Sequence, residues 1–491
     1  MRASPALTLL VLCLLAPAAA ATAVISGTPR PDRLKGTAKA DRIDVVFGAT
    51  DRVSCGRGID AVTADPADKI ARDCEFVSRR ISVDTLTSAP GQHQTEVEPS
   101  VAGWSSTAVA SFQVGRFRDG GAAGIGWATS TDAGRTWRSG ILPALTSASS
   151  PPGDAPRASD PAVAYDAAHG TWLISTLVLG NDFTELGISR STDGLAWRAP
   201  VSAARLASRS LAYDKEWIAC DNASTSRFYG SCYLAYTDLA TPRVALQVSR
   251  DGGATWNAPV TVTAAFAAEA EGALPLVQPD GALTVVFQVG PGIYAVRSTD
   301  SGATFAPLVG IAPLAHASQP LLRAPPLPTA TVDASGRLFV AWVDCAFRPG
   351  CDGDTIVLTS STNGSTWTPL RRVRGTGFDS FVPAIAADPS TPGRISVVTY
   401  IRNATACSAA TCSVGVAVTR SRDGGATWTK PQRLDAVSPR YAWLANAGGQ
   451  FLGDYIGATY AGGRFVPVFA LASRPLGAAR LREHMMAASI P

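Results

Sequence analysis

Apolar residues along this chain fall in short runs, each broken by Gly, Pro, Asp or Asn, and that pattern predicts many brief β-strands. Arg243-Val-Ala-Leu-Gln-Val-Ser249 and Ala258-Pro-Val-Thr-Val262 read as strands on either side of a turn. Pro161-Ala-Val-Ala-Tyr165, a turn over Asp166 to Gly170, and Thr171-Trp-Leu-Ile-Ser-Thr-Leu177 read as a second hairpin. Composition points the same way. Charged residues are 17% of the chain, against 45 Gly, 34 Pro and 11 Trp, which suits short strands joined by tight turns. An all-β fold is expected.

One of these turns recurs six times. Full copies of Ser-x-Asp-x-Gly-x-Thr-Trp are Ser130 to Trp137, Ser249 to Trp256 and Ser421 to Trp428; Ser298 to Phe305 exchanges Trp for Phe, and Ser191 to Trp197 and Ser361 to Trp367 are one residue shorter. The signature is structural. Asp accepts backbone N–H groups at the start of the turn, Gly takes the positive φ of the reversal, and Trp packs beneath the hairpin. Each copy joins two strands and has another strand pair upstream, so a repeat is about four strands, the size of a propeller blade. Blades are expected to begin near Glu98, Asp160, Asp214, Glu271, Pro328 and Phe381. A last unit, Gly453 to Thr459, Arg464 to Phe469 and Leu481 to Ile490, offers three strands, and Arg80 to Leu86 is expected to add the fourth and close the ring. Seven blades over residues 80–491 are the expectation, with six as the alternative.

The N-terminus reads differently. Arg2, an apolar run from Ala6 to Leu15 and small residues up to Ala23 make residues 1–23 a secretory signal. The run is shorter than the roughly 20 residues a membrane span needs. Beyond Cys13, eight cysteines fall into close couples, Cys55 with Cys74, Cys220 with Cys232, Cys345 with Cys351 and Cys407 with Cys412, so local disulfides in an exported, secreted protein are expected. Abundant Ala and Arg suit a GC-rich bacterial source. Asn222, Asn363 and Asn403 head sequons that matter only in a glycosylating host.

Between signal and propeller, residues 24–79 carry Gly-x-x-x-x-Asp-Arg-[Leu/Ile] at Gly27 to Leu34 and Gly36 to Ile43, with weaker turns at Asp51, Asp60 and Asp68. The period of about nine residues resembles the RTX, or haemolysin-type, calcium-binding repeat. That resemblance implies calcium. The doubled glycines and second acidic positions of a calcium cage are missing, however, which favours a disulfide-closed structural cap. No other cofactor is required.

The six turn copies make residues from about Thr85 onward resemble the sialidase superfamily of BNR, or Asp-box, repeat proteins. The resemblance implies a propeller, glycan substrates, an arginine triad, a Tyr–Glu nucleophile pair and an Asp acid/base. The Phe/Tyr-Arg-Ile-Pro motif that carries the first triad arginine is absent. Read on their own, the acids at the entrances of the predicted innermost strands should converge on one face, where they could bind sugar hydroxyls or serve as acid and base. Asp214, Asp454 and Tyr455 are the catalytic candidates. Glu98, Asp160, Glu216, Trp217, Glu271, Arg323, Asp379 and Arg440 are the substrate-binding candidates. A net charge of +4, with no basic cluster interleaved with aromatics, argues against nucleic acid. The expected partner is a glycan or cell-surface ligand, met by a monomer, either as a glycosidase or as a non-catalytic adhesion module.

Overall fold

The computed structural model describes residues 23–491 apart from positions 47, 87–88, 264–269, 318, 320, 376–378, 403–406, 409 and 476–480. The expected secretory signal over residues 1–23, except Ala23, and the sequon at Asn403 thus lie outside the described residues. The chain is all-β. Two 3-10 turns, Pro349–Cys351 and Tyr441–Trp443, are the helical elements among the described residues.

The N-terminal residues form two parallel sheets laid down alternately, like a short solenoid. Ala23–Ser26, Asp41–Val45, Ala61–Ala64 and Phe76–Arg80 make one sheet; Arg33–Lys35, Arg52–Ser54 and Lys69–Ile70 make the other. Ile43, Val45, Val53 and Val62 fill the space between them, beside the Cys55–Cys74 disulfide. The aspartates that suggested calcium bond to the backbone. Asp51 accepts the N–H of Asp32 at 2.7 Å, Asp60 that of Asp41 at 2.6 Å, and Asp68 those of Asp51 and Asp65 at 2.9 and 2.7 Å. Each carboxylate thus ties one coil to another or closes a turn. Among the described residues no group of three or more His, Cys, Asp or Glu side chains could hold a metal ion.

From Gln92 onward the strands form consecutive antiparallel sheets. The first runs Gln92–Trp104, Thr107–Arg116, Ala122–Ser130, Arg138–Ile141, and the second Arg157–Asp166, Thr171–Leu179, Phe183–Ser191, Val201–Ala207. Four more of the same form begin with Tyr213–Cys220, Ala270–Val277, Thr329–Val332 and Ser380–Ala387. The last comprises Gly457–Ala461, Arg464–Ala472 and Glu483–Ala488. Its outer edge is covered antiparallel by Phe76–Arg80, with Arg80 opposite Met486. The expected fourth strand therefore exists but lies earlier than Arg80 to Leu86. The same strand ends the N-terminal sheet, so one segment serves both parts.

First strands of successive sheets touch in chain order, and Gly457–Ala461 of the last touches Gln92–Trp104 of the first, so the order of contacts closes on itself. The recurring turn helps to set this spacing. Asp251 accepts the N–H and hydroxyl of Thr255 at 2.9 and 2.6 Å, while Ser249 Oγ accepts the Gly253 N–H at 2.9 Å. Gly253 has φ +74°, and a Cβ there would stand 2.7 Å from Leu173 of the preceding sheet. The equivalent Gly134 faces Val466 of the last sheet at 3.0 Å. Glycine is needed here for conformation and for close approach alike. All four expected disulfides are formed, each closing a local loop.

Candidate functional site

The site is built by a fault repeated in the first strands. In the first, second, third, fourth and sixth sheets the register slips between Val97 and Ser100, Ser159 and Ala162, Asp214 and Trp217, Glu271 and Leu274, and Phe381 and Pro383. At each slip sits a residue of positive φ: Glu98 at 55°, Asp160 at 47°, Lys215 at 51°, Gly272 at 67° and Val382 at 45°. A bulge bends the strand and re-aims a side chain. Holding a non-glycine residue there costs about 1–3 kcal/mol, which the surroundings must offset. Three of the five bulge residues are charged, and they meet.

Lys215 is the hub. Its Nζ lies 2.6 Å from Asp454 Oδ2, 3.6 Å from Glu98 Oε1 and 3.9 Å from Asp160 Oδ2. Burial disfavours the ammonium, yet Asp160, Asp454 and Glu98 outweigh it and hold the lysine charged. Arg323 grips Asp454 from the other side, with Nε donating to Oδ1 at 2.9 Å and Nη2 to Oδ2. Burial alone would raise the Asp454 pKa, but Lys215 and Arg323 hold it at about 2. Gly453 makes this approach possible. A Cβ at that position would fall 2.9 Å from the Glu98 backbone, and the next residue, Asp454, donates its N–H to Glu98 Oε1 at 3.1 Å.

Around the hub stands a second ring of partners. Gln113 donates to Glu98 and, at 3.1 Å, to Ser159 Oγ, while Arg116 donates to Gln113 Oε1 at 2.6 Å. Ser159 in turn donates to Asp160 Oδ1 at 2.8 Å. The ring of Phe451 is buried between two guanidiniums, with Arg116 4.7 Å and Arg323 4.9 Å from its centroid. Burial raises the Glu98 pKa, against the pull of Lys215.

Above this cluster opens a cleft of about 840 Å³. Asp160, Asp214, Lys215, Glu271, Arg323 and Asp454 reach it, and Arg116, Arg157, His316 and Gln319 add to its walls. Burial raises the Asp214 pKa to about 7; Lys215 opposes the rise, and Asp160, whose carboxyl is hydrogen-bonded to that of Asp214, adds to it. A neighbouring carboxyl group disfavours the charged form of Asp214, as burial does. Glu271 is exposed in the same cleft.

The remaining candidates part company with this group. Glu216, Trp217 and Tyr455 line a separate cavity of about 60 Å³; Lys215 and Asp454 border both spaces. Tyr455 packs edge-on to Trp217 at 5.1 Å, and its hydroxyl is buried with no hydrogen-bond partner among the described residues. Burial pushes the tyrosine and Glu216 well above their usual values. The aromatic pair is not part of the cleft lining. Asp379 is held by Arg348, at 3.1 Å, and Arg402, outside the cleft lining. Arg440 is exposed and donates to the Ala410 carbonyl at 3.5 Å. Gln113, Phe451 and His316 had no signal in the sequence, because the strands and loops that deliver them are remote from the acids they support.

Residues 233–452 match the BNR repeat-like domain. No curated protein matches the chain by sequence similarity. Among solved structures, the chain is similar to a Hadza microbial sialidase at 16% identity, covering 70% of this chain and 67% of that one with a TM-score of 0.44. It is also similar to an α-L-arabinofuranosidase from Fusarium graminearum, at 14% identity, 66% and 92% coverage and a TM-score of 0.44. A sialidase from Streptococcus pneumoniae gives 13% identity, 84% and 70% coverage and a TM-score of 0.41. Likeness at this level leaves the chemistry to be read from the site.

Proposed function

We propose that the chain is an exported glycoside hydrolase whose consecutive sheets are the seven blades of a propeller, with the reaction run in the 840 Å³ cleft. The closed order of first-strand contacts supports the ring, and four disulfides support export to an oxidising compartment. The observation that carries the reading is the Asp160–Asp214 pair at the floor of an open, polar cleft, with Asp214 raised to about 7.

In this reading Asp214 keeps its proton near neutral pH and gives it to the leaving glycosidic oxygen, as a general acid must. Glu271, exposed beside it, activates water or attacks the sugar. Asp454 is not a catalytic carboxylate. Its oxygens are occupied by Lys215 and Arg323, and with them it anchors the cleft floor and fixes the charge around the acid pair. Tyr455 is a structural neighbour of Trp217. Arg116, Arg157 and Arg323 would meet the substrate's hydroxyls, or a carboxylate if it carries one.

A panel of chromogenic glycosides tests this. Asp214→Asn should lower kcat by about 10²-fold or more while KM changes little. Absence of turnover by the wild type on every sugar tried, with glycan binding retained, would instead make the cleft a recognition site of an adhesion module.

A further inference from the structure

A second cleft, of about 650 Å³, lies where the N-terminal sheets meet the first and last antiparallel sheets. Pro66, Ile70 and Val77 come from one side, Gly134 to Trp137 and Arg464 from the other. Four arginines line it, Arg79, Arg80, Arg135 and Arg464, against a single acid, Glu75. That acid is already engaged, its Oε2 accepting the Asp60 N–H at 3.0 Å.

Among the described residues, three of the four arginines have no carboxylate partner within ion-pair distance. Arg79 donates to the carbonyls of Asp65 and Asp68 at 3.1 and 3.3 Å. Arg135 donates to the Asp132 carbonyl at 2.9 Å, and Arg464 to Ser489 Oγ at 2.7 Å and the Ser489 carbonyl at 2.6 Å. Such bonds fix the planes of the guanidiniums without pairing them directly with a carboxylate, although Asp68 acts on Arg79 at longer range. Burial disfavours the Arg464 cation, and the neighbouring charge of Arg135 disfavours it further. Like charges gathered without a counter-ion are stabilised by a bound anion. The half-buried ring of Trp137 lines the same wall, held by a 3.1 Å bond from its Nε1 to the Gly134 carbonyl, and offers a flat apolar surface of the kind that packs on a sugar ring.

We propose that this cleft binds an acidic saccharide, with Arg79, Arg135 and Arg464 meeting its anionic groups and Trp137 packing on a ring. It is a site apart from the Asp160–Asp214 cleft, and it would hold a polyanionic glycan while the other cleft works on a chain. Uronate carboxylates and sulfate esters offer the same charge, and the arms of the test separate them.

The full chain is titrated calorimetrically with an oligogalacturonate, a heparin-derived hexasaccharide and neutral maltohexaose. At least one acidic sugar should bind at least tenfold more tightly than the neutral one, and binding should weaken as salt rises. Arg135→Ala with Arg464→Ala should weaken it tenfold or more, with the melting temperature recorded as the check on folding. Arg464 is tied to Ser489, so exposed Arg135→Glu alone serves if the double variant fails to fold. Asp214→Asn should leave this binding unchanged, which separates it from the other cleft. Equal binding of neutral and acidic sugars, unchanged binding in the arginine variants, or equal binding of polyglutamate would overturn the proposal.

Discussion

Lys215 shows how much one residue decides. It sits in the left-handed region of a bulge and is 8% exposed, and it neutralises carboxylates delivered by three other segments of the chain. Lys215→Met should cost about 3 kcal/mol or more, because it leaves buried carboxylates uncompensated. The loss should be larger at pH 8 than at pH 5, where protonation relieves Glu98; equal urea midpoint shifts at the two pH values would contradict this. Glu96 makes a second pH prediction. Burial raises its pKa to about 7, even though Ser82 and the Met485 N–H bond to it. A carboxyl group whose pKa is raised on folding contributes its full stability below its unfolded value and loses it as pH climbs to about 7. That contribution is at most about 3 kcal/mol. Glu96→Gln should therefore flatten the fall in stability between pH 5 and pH 8.

At the scale of elements, the repeated turn and the repeated bulge do different work. The turn is a spacer between neighbouring sheets, and its chemistry is local: a carboxylate, a hydroxyl, a glycine and an indole within eight residues. Gly253→Ala should lower stability by more than about 1 kcal/mol, since the added methyl meets both the positive φ and Leu173; a thermal melt reads it. Asp251→Ala should cost about 1 kcal/mol through lost bonds to the Thr255 N–H and hydroxyl, with little change in activity. The bulge, by contrast, aims residues. It explains why sequence reading found Glu98, Asp160 and Asp214 near a common site yet grouped Glu216 and Trp217 with them. Side chains alternate along a regular strand, and the slip between Asp214 and Trp217 breaks the alternation at the point where the assignment had to be made.

At the scale of the whole molecule, closure rests on Phe76–Arg80. This strand covers the edge Glu483–Ala488 and continues the N-terminal sheet, so the two ends of the chain are joined through it. Truncation of residues 23–81 should expose an unpaired edge in the last sheet and promote aggregation, as light scattering would register. The deletion also removes one wall of the arginine cleft.

Sequence by itself determined the all-β class, the turns that space the sheets, the starts of most first strands and the four cysteine couples, because each is written in contiguous residues. It also picked Glu98, Asp160, Asp214, Glu271, Arg323 and Asp454 as members of one site, since acids at strand entrances recur with the repeat. Tertiary structure alone decided the surroundings of each candidate: Lys215 and Arg323 pair with Asp454, Tyr455 and Glu216 are buried beside a smaller cavity, and Arg440 and Asp379 lie outside the lining of the large cleft. Those outcomes depend on charges brought together from segments hundreds of residues apart, and Coulomb energy follows distance in space, which local sequence does not encode.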